Sequence, residues 1–383
     1  MIATLLGLER AKRARLPAFA AALILAAGAA WACPICFSGR VPLLGPKIDA
    51  ADEVVLATQI GEAGPYRVTT SIKGAISDGA IILDASPAPP VLVVTGRPSL
   101  VVRNRSSQQW SALGSMQAGQ ADWLRAFAAG APAPGAPAPK IWPRTLDTSA
   151  DLSDEDWLAR LALVAPVLES PDRLVAEIAY GELARAPYRL LRSLKGMRSP
   201  AEVLNWLADP DLLARKPGYL LLLGVAGGDV AARYVAARLA ERRAARRSDD
   251  VAALITADLE MGGPASLGSV IAGYLTDSSR GLPEIEAALL ALNVQGTADA
   301  AIPRAQIVAA YGDFVRAHPA MAGFVVQDLS DWGAFDVADV LQAALESGAV
   351  RDPGSRYAVQ AFLQRDPARP SAASNSAGGD LPP

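Results

Sequence analysis

Between Pro171 and Arg247 apolar residues recur every three or four positions, and Pro or Gly interrupts the run before any helix grows long. The phrases PDRLVAEIAYGELARAPYRLLRSLKG and PDLLARKPGYLLLLGVAGGDVAARYVAARLAERRAARR carry the pattern. Helices this short cannot bury their apolar faces alone, so the pattern predicts paired helices stacked as an α-solenoid. It continues through VAALITADLEM, PASLGSVIAGYL, LPEIEAALLALNV, PRAQIVAAYGDFVRA, AFDVADVLQAALES and SRYAVQAFLQR, with Gly281, Gly296 and Pro303 read as turns. The predicted solenoid spans 151–365. Tyr180, Tyr188, Trp206, Tyr219, Tyr274, Phe314 and Trp332 fall at helical spacing and are expected to pack between helices.

Upstream the period changes from about 3.6 to 2. In YRVTTSIKG, Tyr66, Val68, Thr70 and Ile72 alternate with Arg67, Thr69, Ser71 and Lys73, as in a half-buried strand. EVVLATQI, AIILDA, VLVVTG, SLVVRN and QWSAL supply further strands, so residues 33–116 are expected to form a small barrel or sandwich. A helix over 117–129 and the Pro/Ala spacer APAPGAPAP make up a connecting segment, 117–150. The fold class is therefore α+β and multidomain. The polar, Pro-rich stretch 366–383 reads as a disordered tail.

Residues 1–32 read as an export signal. Arg10, Lys12, Arg13 and Arg15 precede an apolar run from Leu16 to Ala29, and Ala30-Trp31-Ala32 has the small-x-small pattern of a cleavage site. Cleavage there leaves Cys33 at the head of Cys33-Pro34-Ile35-Cys36. A Cys33–Cys36 disulfide suits an oxidising compartment and would pin the N-terminus locally. Lipidation of Cys33 is a second fate, and thiol redox chemistry through Cys33 and Cys36 is a third. The redox fold needs a strand and helix upstream of its cysteines, where this chain has only the signal. An uncleaved signal, or a lipid on Cys33, would hold the chain at a membrane.

The order CPIC, ADEVVLATQI, YRVTTSIKG and a strand after Gly79 resembles the netrin-like module, a variant of the OB barrel. There an N-terminal Cys motif follows the signal and a strand ends in a Lys-Gly turn, here Lys73-Gly74. The resemblance covers roughly 33–113 and implies an OB-like barrel. The downstream cysteines of that module are missing, so its metalloprotease-inhibitor activity is not implied. SPDRLVAEIAYGELARAPY and ADPDLLARKPGYLLLLG, each opening on a Pro-Asp turn, resemble HEAT-like repeats. Behind an ACPxC start the whole arrangement is similar to uncharacterised bacterial envelope proteins with a β domain and HEAT-like helices. That similarity implies fold and compartment.

Composition narrows the function. The chain carries 51% apolar and 20% charged residues among 383, enough for a sizeable core. Its formal charge is −3, and a chain starting at Cys33 loses four bases and one acid, reaching −6. That argues against a nucleic-acid partner. Catalysis through histidine would depend on His318 alone, which precedes a proline where helices end. No cofactor or metal site is predicted, since two thiols fall short of a ligand set. The acidic run Asp154-Glu155-Asp156 follows Ser153 and reads as a capped helix start. Arg238, Arg242, Arg243, Arg246 and Arg247 lie along one predicted helix. They form either a solvated face or a basic patch for an acidic partner or anionic headgroups. The expectation is an exported, non-enzymatic scaffold that binds a protein partner in the cell envelope. The alternatives are a thiol redox protein and a lipid-tethered one.

Overall fold

The computed structural model describes residues 35, 43–61, 64–104, 108–130, 152–299 and 301–368. The signal, Cys33, Cys36, the Pro/Ala spacer and the chain from 369 onward lie outside the described residues. Ile35, between the two cysteines, is 8% exposed and belongs to the main apolar core.

A short helix α1 (Gly45–Asp49) leads into a six-stranded sheet. Its strands are β1 (Ala51–Gln59), β2 (Tyr66–Lys73), β3 (Ile81–Ile82), β4 (Ala85–Ser86), β5 (Ser99–Asn104) and β6 (Trp110–Ser115), in the order β3-β2-β1-β5-β6-β4. Only Leu83 and Asp84 separate β3 at one edge from β4 at the other. Two linking residues reach about 11 Å at most, so the sheet curls into a nearly closed barrel. Central β1 is apolar on both faces. Val55 and Ala57 join Tyr66, Val68, Ile82, Val101 and Ala112 in a small core of their own. Val54 and Leu56, with Leu100, Val102 and Leu113, turn instead to the large core shared with the helices. This double burial explains the unbroken apolar run VVLA of residues 54–57.

The Lys73-Gly74 turn has a local cause. The Glu53 carboxylate accepts the backbone N–H of Ala75 at 3.3 Å and of Ile76 at 3.2 Å, and pairs with Arg103 at 3.2 Å. Gly74 has φ +100°, and a Cβ there would lie 2.1 Å from Glu53 Oε2. Only glycine lets the chain wrap the carboxylate this closely. VLVVTG, expected as a strand, is instead a 3₁₀ turn at Pro90–Leu92 followed by irregular chain. Pro89 and Pro90 lack the N–H groups a ladder needs, and Val91 and Val93 are exposed.

Helix α2 (Ala121–Ala129) closes the N-terminal part. The helical part starts with α3 (Asp154–Val164), α4 (Arg173–Arg185), α5 (Tyr188–Leu191) and α6 (Pro200–Ala208). It continues through α7 (Lys216–Ala226), α8 (Asp229–Ala245), α9 (Val251–Gly262) and α10 (Pro264–Val270), the last running into a π-helical turn at Ile271–Leu275. The final helices are α11 (Leu282–Ala298), α12 (Arg304–Ala317), α13 (Val326–Trp332), α14 (Ala338–Glu346) and α15 (Pro353–Gln364). Alternate helices share a layer, with α7 packed on α9 and α9 on α11. Gly296, expected as a turn, lies inside α11. A Cβ there would stand 2.5 Å from the Trp332 ring, so this glycine is a notch for an aromatic. Asp366, expected in the tail, is buried.

The apolar core runs unbroken from the sheet into the helices. Four buried ionic groups cross the same junction: Asp49 of α1, Arg160 of α3, and Glu182 and Arg185 of α4. Two positive and two negative charges balance there.

Candidate functional site

A groove of about 850 Å³ opens where the barrel meets the helices. Pro89, Val91 and Leu92 line it from the barrel; Glu169, Ser170 and Pro171 line it from the turn before α4. Arg173, Ala176 and Glu177 come from α4 itself, and Asp211, Leu212, Ala214 and Arg215 from the 3₁₀ segment Pro210–Arg215. The two Pro-Asp turns thus meet across one groove. Their capping differs, however. Asp172 caps α4 by accepting the N–H of Leu174 and Val175, whereas Asp209, before the proline, caps the second segment.

Arg215 fixes the wall. It is 7% exposed and pairs with Glu169 at 2.6 Å and Glu177 at 2.9 Å, while its backbone carbonyl accepts from Tyr180 Oη at 3.1 Å. Tyr219 Oη also donates to Glu169. Burial, reinforced by the Glu169 charge, holds the Tyr219 phenol well above its ordinary pKa, so it stays a donor. Held by three partners, these side chains form a fixed surface. At the rim the situation reverses. Arg173 and Asp211 are both exposed and hold no ion pair among the described residues. Beside them Val91 is 57% exposed, and Leu213, next to the lining residue Leu212, is 62% exposed. The groove therefore offers apolar contact, one open cation and one open carboxylate on a rigid frame.

Helix α8 ends at Ala245, so of the five bases expected along one helix only Arg238, Arg242 and Arg243 lie on it, and these with Arg246 and Arg247 of the following turn are largely engaged within the chain. Arg238 pairs with Glu241 at 2.6 Å. Arg242 is buried among Glu241, Asp249 and Asp250, and Arg247 pairs with Asp249 at 2.8 Å. Arg246 sits in the left-handed region at the helix end and donates to the carbonyl of Ser279 at 2.5 Å. Arg243 lies over the Tyr274 ring, 5.1 Å from its centre. Asp249 and Asp250 stand beside the bases in the sequence as counterions of a solvated face, whereas the Ser279 carbonyl and the Tyr274 ring come from farther along the chain.

Other candidates resolve into structural roles. Ser153 caps α3, accepting the Asp156 N–H at 3.1 Å, and Asp154 pairs with Arg189. His318 follows the last residue of α12, with its ring packed on Phe314. Tyr180, Tyr188, Tyr219, Tyr274 and Phe314 are buried between helices, and Trp206 and Trp332 pack against the core. Among the described residues no three of His, Cys, Asp and Glu are grouped to hold a metal, and no helix is long and apolar enough to cross a membrane.

Sequence reasoning missed the groove. Its barrel wall read as a strand, and Arg173 and Asp211 read only as parts of helix starts. Comparison with protein-family models, curated proteins and solved structures found no match to the chain.

Proposed function

We propose that this chain is an exported envelope protein that works by binding, and that its groove receives an extended segment of a partner protein. The observation carrying this reading is the pairing of exposed apolar residues with two uncommitted, opposite charges, Arg173 and Asp211, on walls fixed by the Arg215 ion pairs. In this reading the barrel is of the OB/netrin-like kind and the helices are HEAT-like repeats. The layered packing of α7, α9 and α11 supports the second.

A photo-crosslinking residue at Val91 or Leu212 tests the groove in cells that produce the protein, with the exposed Leu158 of α3 as control. One common adduct from both groove positions is expected, absent from position 158 and reduced about tenfold by Arg173→Glu with Asp211→Lys. Equal adducts from position 158, or adducts indifferent to charge reversal, would contradict it.

In this reading Cys33 and Cys36 form a disulfide, and Ile35 between them is the residue it would hold against the core. Intact mass checks this. The expected product starts at Cys33 and gains two alkyl groups only after reduction, whereas added acyl mass would mean a tethered protein.

A further inference from the structure

Near the far end of the helical array, one carboxylate ties three helices together. Asp328 of α13 accepts a hydrogen bond from Tyr311 Oη of α12 at 2.5 Å and from Asn293 Nδ2 of α11 at 2.7 Å. Tyr311 is fully buried, and its ring stacks on Trp332 with centres 5.7 Å apart and planes 12° from parallel. Trp332 in turn fills the notch at Gly296 and donates from its indole to Thr297 Oγ1 at 3.3 Å. Arg304 lies 5.7 Å from the centre of the Trp332 ring and donates to the carbonyl of Gly296 at 2.7 Å.

What surrounds Asp328 is unusual for an ionised acid. Both donors, Tyr311 and Asn293, are neutral. The charged neighbour that acts on it is Asp331 on the same helix, which repels. Arg304 is turned to the α11 backbone, and no ion pair reaches Asp328 among the described residues. The hydrogen bonds from Tyr311 and Asn293 by themselves favour the ionised form, but desolvation of this half-buried carboxylate, with no counter-charge beside it, outweighs them and favours the neutral acid. Protonated Asp328 keeps both hydrogen bonds, because the Tyr311 hydroxyl can turn to accept while Asn293 still donates.

We propose that Asp328 is a proton-operated latch: neutral, it clamps α11, α12 and α13 together; ionised, it loosens them. This stands on the geometry of the three-helix junction and is independent of the groove. Burial, the largest cause, lifts the Asp328 acid to about 6 against an ordinary 3.8. The folded chain thus holds a proton that the unfolded chain releases. The stabilisation is complete below about pH 4 and is lost as pH rises through about 6.

Denaturant unfolding of the full chain between pH 4 and pH 7.5 tests this, with Asp328→Asn as the isosteric neutral form. Asparagine accepts from Asn293 and donates to Tyr311, so it mimics the clamped state. The folded-to-unfolded ratio of the variant relative to wild type is expected to be level near pH 4 and to rise up to about 100-fold by pH 7. Identical pH profiles for the two proteins would overturn the proposal. Should Asp328→Asn fail to fold, Asp331→Asn decides the matter. Removing the repelling charge should move the transition to lower pH, and an unmoved transition would sink the latch.

Discussion

Replacing Arg160 with methionine should cost the fold about 3–5 kcal/mol, the range for removing one partner of a buried ion pair. Arg160 is 2% exposed and bridges two carboxylates, Asp49 at 3.0 Å and Glu182 at 3.2 Å. It also donates to the carbonyl of Gly130 at 2.8 Å and lies 4.0 Å from the centre of the Phe127 ring. Arg185 is the other base, 3.0 Å from Asp49 and 2.8 Å from Glu182, with its guanidinium over Trp157. Without Arg160 two buried carboxylates would share one guanidinium, and methionine could fill the volume but not the charge. The chain has little room to adjust, since a Cβ on Gly45 would lie 1.9 Å from Glu182 Oε1. The loss should shrink in mild acid. Burial already raises the Asp49 acid above its usual range, and losing a cation raises it further. Guanidinium chloride unfolding of both proteins at pH 7 and pH 5 measures the cost. Equal midpoints at pH 7 would mean that the four charges do not hold the junction.

Replacing Asp172 with alanine should cost about 2–4 kcal/mol, combining a lost helix cap with unsatisfied buried N–H groups. Asp172 is fully buried. One oxygen accepts the N–H of Leu174 and Val175 at 3.1 and 3.3 Å; the other accepts the N–H of Gln117 at 2.6 Å. The residue therefore caps α4 and ties it to the chain leaving β6. Asp172→Asn separates the two roles. Its carbonyl can still cap the helix, but its amide would meet the Gln117 N–H donor to donor. Denaturant midpoints should fall in the order wild type, Asp172→Asn, Asp172→Ala. An alanine variant as stable as wild type would remove Asp172 from the account.

Local features of the fold were legible in the sequence. Alternation in YRVTTSIK marked β2, and Ser153 and Pro171-Asp172 marked two helix starts. Where a signal was ambiguous locally, the reading failed for a physical reason. An apolar run such as VLVV looks alike whether buried or exposed, and only the preceding prolines argued against a ladder. Gly296 looked like a turn because the ring it accommodates comes from position 332. The buried charges were out of reach altogether, with Asp49 lying 111 residues from Arg160 and 136 from Arg185. The groove shared that limit. Each Pro-Asp turn was visible, but nothing local said that both face the barrel.

The groove is a fixed site only if barrel and helices unfold as one body, and hydrogen exchange on wild type and Arg160→Met tests that claim most directly. In wild type the most protected amides of β1, β5 and α4 should open with one common free energy. In the variant they should lose protection together. Strands that keep their protection in the variant while α4 loses its own would contradict it, leaving the barrel and the helices as separate units with no fixed groove between them.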